Sequence, residues 1–322
     1  MIRYFVRRLA FAIALVFAVS SGSFVLARLA PGDYTTESLG IEAHRETVEA
    51  ARARYGLNQS IAAQYGGWIE RAIQLDFGHS LLYDRPVREL VAESAANTAI
   101  LASIALVVAT GLGLPLGVIV GSQRGGQLGR MMGGAIRAAS LLLLSMPPLL
   151  TSLLLVFLAA RTGWFPIAGM HSPVVPQGAA WLDLLDHLVV PVSAISLPLA
   201  ALFERLQAQA MSEVINQPFV LSSLARGVPR ARVIWRDALK ASLGPVASIY
   251  GLVVGTLLSG SFVVEIITAW PGLGRLMLDA LRARDVYLVA GCAAAGAIFL
   301  AIGTLVSDLA LGVIDPRVSL RS

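Results

Sequence analysis

The chain has 322 residues, of which 56% are hydrophobic and 14% charged, with a net charge of +5. Soluble proteins carry about 25% charged residues, so a single water-soluble core would have to hide too much apolar surface, and disorder is excluded for the same reason. The lone cysteine, Cys292, excludes an internal disulfide framework and any CxxC metal or redox site; it lies in an apolar stretch, where it reads as a small packing residue.

A membrane-spanning helix needs about 20 mostly apolar residues, and six stretches meet that need. The first runs from Leu9 to Ala27, between Arg8 and Arg28. Its basic start and small-residue exit resemble a signal peptide, but the apolar run is long for one, and retention is the expectation. The second covers Asn97 to Gln123, the third follows Arg137 and ends before Arg161, and the fourth starts near Leu188 and continues past Glu204 and Arg205. The fifth lies between Lys240 and Glu265, the sixth between Asp285 and Asp308. Basic residues cluster at the chain start, around Arg124–Arg137, from Arg205 to Lys240 and after Asp315. By the positive-inside rule those segments and both termini are cytoplasmic. The basic residues flank apolar runs and form no aromatic-interleaved patch, so nucleic acid is not an expected partner.

The chain divides into a cytoplasmic N-terminus with the first span (1–28), an external helical region (29–96) and a five-span core (97–322) that includes a cytoplasmic loop at 206–243. In the external region Glu37–Tyr55 and Gln64–Leu75 read as helices, the first with acids early and bases late. This region is either a small lid or a docking surface. In the cytoplasmic loop Phe219–Arg226 and Pro229–Lys240 read as two short helices. Gly227 takes the left-handed C′ position between them, and Pro229 opens the second.

A P-loop needs GxxxxGK[ST]. The single lysine, Lys240, follows Leu239, so this chain is not a P-loop ATPase. Gly111-Leu112-Gly113 sits inside a span and reads as helix packing. His44, His79, His171 and His187 all fall in external segments, none at metal-ligand spacing, and read as solvated polar residues. No histidine or lysine lies mid-span to serve as a base, and the span centres carry no charge for ion coupling. Active transport by this chain therefore has to be driven by other subunits.

Phe219-Val220-Leu221-Ser222-Ser223-Leu224-Ala225-Arg226-Gly227 resembles the EAA loop of ATP-binding-cassette importer permeases. Val233-Ile234-Trp235-Arg236-Asp237-Ala238-Leu239 resembles its continuation in the dipeptide, oligopeptide and nickel branch. Similar pieces follow one another along the chain: Leu29-Ala30-Pro31-Gly32-Asp33, Tyr55-Gly56-Leu57, Asp76-Phe77-Gly78-His79-Ser80, Arg85-Pro86-Val87, Glu265, Trp270-Pro271-Gly272-Leu273-Gly274, Arg284-Asp285 and Asp315-Pro316-Arg317. The long external segment resembles the first, "B"-type, permease of the pair. Leu221, Ser222 and Ser223 replace the acid or polar residue and the two alanines usual before the loop's glycine.

The resemblance implies an all-α, six-helix membrane protein with a type I ABC importer-like permease fold, in a bacterial or archaeal inner membrane. Its partners would be a second permease, two ATP-binding subunits and an extracytoplasmic binding protein. ATP and Mg would bind those ATPase subunits, and this chain would hold no cofactor or metal and no catalytic residue. The expected coupling residues are Leu221, Ser222, Ser223, Ala225, Arg226, Gly227, Arg236 and Asp237. The expected external-gate or motif residues are Asp76, Gly78, Ser80, Glu265, Trp270, Pro271, Gly272 and Gly274. Di- or oligopeptides are the expected cargo, with nickel or another small solute as the alternative. A membrane-embedded enzyme and a passive channel or scaffold are the competing readings.

Overall fold

A computed structural model describes residues 2–35, 49–50, 52–53, 57–74, 76–122, 127–173 and 180–314. Among them the secondary structure is helical, with a single isolated bridge between His79 and Pro86. Of the expected helix over Glu37–Tyr55, residues 49–50 and 52–53 are helical, and the rest lies outside the described residues.

α1 (Ile2–Leu29), α3 (Val87–Gly121), α6 (Ala180–Val214) and α12 (Val286–Ile314) contain the four helices long and apolar enough to cross a membrane singly. They match the first, second, fourth and sixth expected spans. α6 has 35 residues, about 52 Å at 1.5 Å per residue, so it outruns a hydrocarbon core of about 30 Å. The fourth span thus begins at Ala180, ahead of its expected start near Leu188, and does continue past Glu204 and Arg205.

The third and fifth spans are broken. α4 (Gln127–Ser145) and α5 (Pro148–Thr162) meet at 106°, which corrects the expectation of one unbroken span between Arg137 and Arg161. Met146 and Pro147 each precede a proline and are pushed out of the α region. Pro147 accordingly has φ −59° and ψ 144°. α8 (Arg230–Ser242) bends by 57° into α9 (Gly244–Gly260), where Pro245 lacks the amide a continuous helix would use. α9 stops at Ser261, and a short α10 (Phe262–Ile267) carries Glu265. The second external helix is α2 (Ile61–Ile73), three residues ahead of its expected start. Ser60 caps it by accepting the amide of Ala63 at 3.2 Å.

Two compact units divide the chain: residues 1–99 with 271–302, and residues 100–270 with 303–322. In the first, Phe24 stacks on Trp68 with ring centroids 5.2 Å apart, and Val286 and Ala290 complete the cluster. α11 (Leu273–Arg282) is held at its start, where the amide of Leu273 donates to Thr98 Oγ1 at 2.9 Å. In the second unit α3 and α6 pack backbone to backbone. A Cβ on Gly113 would stand 2.6 Å from the carbonyl oxygen of Ala200, and one on Gly117 2.6 Å from that of Glu204. Gly121 is in the same relation to Ala208. The packing glycines are thus 113, 117 and 121. Gly111, expected to share that role, has open space where its Cβ would be. Around this contact Leu101, Ala105, Leu188, Phe203, Val253 and Trp270 form the main core, with Tyr250 stacked flat on Phe203 at 5.2 Å. Cys292 is buried in α12.

Candidate functional site

The corner expected at Gly227 is present. α7 (Pro218–Ala225) ends on Arg226, and Gly227 follows with φ +81°. The amide of Gly227 donates to Leu224 O at 3.0 Å and that of Val228 to Ser223 O at 3.2 Å. These two bonds are the Schellman pattern that a left-handed C′ residue completes. α8 then leaves from Pro229, its N-cap, and is π-helical over Val233–Ala238.

The corner has two faces. Beneath it Val220, Val233 and Ala238 pack with Val118, Met211 and Val214 into a buried cluster. Above it Leu221, Ser222, Ala225, Arg226, Gly227, Arg236 and Asp237 are exposed, and Ser223 is half-buried. Ser222 and Ser223 turn their hydroxyls back onto the carbonyl of Phe219 at 3.0 and 2.8 Å, and Arg226 reaches Ser223 Oγ at 3.2 Å. The serine hydroxyls are therefore satisfied locally. Phe219 and Trp235 add exposed aromatic area, 39% and 46% accessible. Nothing of this chain lies within 4 Å of where a Gly227 Cβ would be.

Arg230 was not among the expected site residues, and it is the polar tie under the corner. Its Nη2 donates to Ser122 O at 3.1 Å, just past the C-terminus of α3. A cation there satisfies an orphan carbonyl and complements the helix dipole. The partner is 108 positions away in sequence, so no local pattern announces it.

The external-motif residues separate into two groups. In the first unit Asp76 Oδ1 accepts the amide of Gly78 at 2.9 Å, and Gly78 has φ +88°. Ser80, 1% exposed, donates to Asp285 Oδ2 at 2.6 Å, and the amide of Leu82 donates to the same oxygen at 3.1 Å. Asp285 Oδ1 accepts the amide of Leu288 at 3.1 Å, so the carboxylate also caps α12. Gly32, with φ +89°, lies beside the Arg284 side chain. Pro271 O accepts from Asn97 Nδ2 at 2.9 Å, and Gly272 and Gly274 are buried next to it. In the second unit Glu265 is fully buried and accepts from Ser261 Oγ at 2.8 Å, while Trp270 is buried in the main core and its amide donates to Glu265 O at 2.9 Å. The side chains of Asp76, Ser80, Glu265 and Trp270 are each engaged within their own unit.

The histidines differ from expectation in one case. His187 is buried, with Nδ1 2.7 Å from Asp183 O. His171 Nδ1 is 3.3 Å from Asp183 Oδ2, and Ser172 donates to the same carboxylate from both its amide and its hydroxyl. His187 follows Asp183 by one helical turn and is covered because α6 starts well before the apolar run. His79 is exposed, and His44 lies outside the described residues. Among the described residues no group of His, Cys, Asp or Glu has the arrangement of a metal site.

Helices of spanning length and a buttressed exposed corner fit a multi-pass permease subunit of an ABC importer. The chain belongs to the family of binding-protein-dependent transport system inner membrane components, whose model matches residues 113–320, with the family's N-terminal model matching residues 1–86. A putative peptide permease protein of Brucella suis is 31% identical over 324 residues, covering 99% of both chains. The oligopeptide transport system permease protein AppB of Bacillus subtilis is 29% identical over 320 residues, again covering 99% of both. Among solved structures, a chain of the methionine ABC transporter MetNI in an inward-facing conformation aligns with a TM-score of 0.53 at 15% identity. The alignment covers 70% of this chain and 96% of that one, and it shares the fold.

Proposed function

We infer that this chain carries di- or oligopeptides across the inner membrane, enclosing the path together with a second permease. An extracytoplasmic binding protein delivers the cargo, and two ATP-binding subunits, which hold ATP and Mg, supply the energy. The chain itself catalyses no reaction. Both termini and the 206–243 loop face the cytoplasm, and residues 30–96 lie outside. Peptide cargo is favoured over nickel by the names of the relatives matched along 99% of their length.

The observation that carries this reading is the two-faced corner at Gly227. A buried apolar cluster fixes it to α3 and α6, and its outer face is free to enter a groove on an ATPase subunit. Closure of the ATPase pair then moves the corner as a lever, and the spans attached to it follow. Gly227→Asp tests this. A non-glycine residue in the left-handed region costs about 1–2 kcal/mol, and within this chain the new side chain has open space. The expected outcome is a folded, membrane-inserted permease that no longer co-purifies with its ATPase subunits and no longer supports peptide uptake. Normal co-purification with normal uptake would remove the coupling assignment.

A further inference from the structure

Within the second unit α4 and α6 border an open cleft of about 440 Å³. Its wall carries Arg137 from α4 and Glu204 and Arg205 from α6. Among the described residues none of the three makes a side-chain hydrogen bond or ion pair. Glu204 is 1% exposed, and both its carboxylate oxygens lack a hydrogen-bond partner. Counted formally, the Glu204 carboxylate offsets one of the two guanidinium charges in the cleft. Two guanidinia and one carboxylate leave the cleft with one uncompensated positive charge.

The cleft is also graded along the membrane normal. In the orientation proposed above, α4 runs away from the cytoplasm and α6 toward it. Arg137 and Ser212 then stand at the cytoplasmic end of the cleft, and Leu144 and Leu202 lie deeper. Beside the cleft α4 exposes the apolar side chains Met131, Leu141 and Leu142, 66%, 53% and 67% accessible, with Arg130 exposed nearer its start. A single negative charge at the guanidinium level and hydrocarbon below it describe one kind of ligand.

We propose that this cleft binds an anionic phospholipid of the cytoplasmic leaflet, with its phosphodiester between Arg137 and Arg205 and its acyl chain along Leu144 and Leu202. One phosphodiester charge neutralises the cleft, and the planar guanidinium fork matches phosphate oxygens in pairs. A peptide carboxylate would satisfy the charge but not the apolar depth. The proposal rests on the orientation given under the proposed function.

The test uses the assembled importer with its partner subunits, analysed by native mass spectrometry after exchange into mixed detergent–lipid micelles. Phosphatidylglycerol is expected to stay bound in preference to phosphatidylethanolamine. Arg137→Gln with Arg205→Gln should lower phosphatidylglycerol retention at least tenfold, and the paired lysine variant should fall between, because lysine keeps the charge without the fork. Equal retention of the two lipids, or full phosphatidylglycerol retention by an assembled Gln/Gln variant, would overturn the proposal. So would inorganic phosphate displacing the lipid at equal concentration, or a photo-crosslinker at Leu144 that captures the second permease or a cargo peptide instead of lipid. Orientation is read separately by an impermeant maleimide on Ser212→Cys in a Cys292→Ser background. Labelling only from the cytoplasmic side is expected. Labelling from outside would move the site to the other leaflet and overturn the topology, whatever the lipid preference.

Discussion

Glycine recurs at 113, 117 and 121 along α3 because each position faces a carbonyl of α6. Backbone atoms cannot rotate away as a side-chain tip can, so even a methyl group forces the helices apart. Gly117→Ala should destabilise the permease by about 1–3 kcal/mol, the usual range for overpacking. Gly111→Ala meets nothing and replaces a poor helix former, so it should be neutral or stabilising by up to about 1 kcal/mol. Thermal melting of the detergent-solubilised complex distinguishes them, and equal melting temperatures would contradict the close approach. Asp285 offers a second test at this scale. Its carboxylate collects a hydroxyl and two amides from segments far apart in sequence. Ser80→Ala leaves one buried oxygen short of a donor and should cost on the order of 1–3 kcal/mol. Limited proteolysis around residues 76–86 should accelerate, while ATPase co-purification stays unchanged.

Helix ends and breaks set the behaviour of the elements. Most were readable in the sequence because their causes are local. Gly227 and Pro229 mark the corner; the Ser60 cap of α2 is equally local, although the expected helix began at Gln64. The break between α4 and α5 was also written locally, in Met146-Pro147-Pro148. Hydropathy conceals it, because such an index averages across a proline pair. The tie between Arg230 and Ser122 had no such signal, since it depends on α3 ending where α8 begins in space. Among the described residues it is the only polar contact between the corner's α8 and the end of α3, and the remainder of that junction is apolar packing. Arg230→Ala should therefore leave the ATPase subunits bound but reduce the peptide moved per ATP hydrolysed. Reconstituted proteoliposomes measure that ratio, and an unchanged ratio would assign the coupling to the apolar cluster alone.

At the scale of the whole molecule, composition speaks first. Sparse charge and six apolar stretches demand a bilayer, and the permease family to which the chain belongs works with ATPase partners. Vesicles containing this chain alone should neither hydrolyse ATP nor pass peptide. Adding the second permease, the ATPase subunits and the binding protein together should restore uptake that ceases without ATP. Uptake by the chain alone would return the passive-channel reading. Membrane class, four of the six spans and the Gly227 corner are legible from the sequence, because hydropathy, proline and left-handed glycine act over a few neighbouring residues. The tertiary structure alone decided which glycines touch a neighbouring backbone and that Ser80 answers to Asp285. It also decided that Glu204 and two arginines meet at one cleft. Those outcomes depend on which helix faces come together, and no stretch of sequence contains both sides of such a contact.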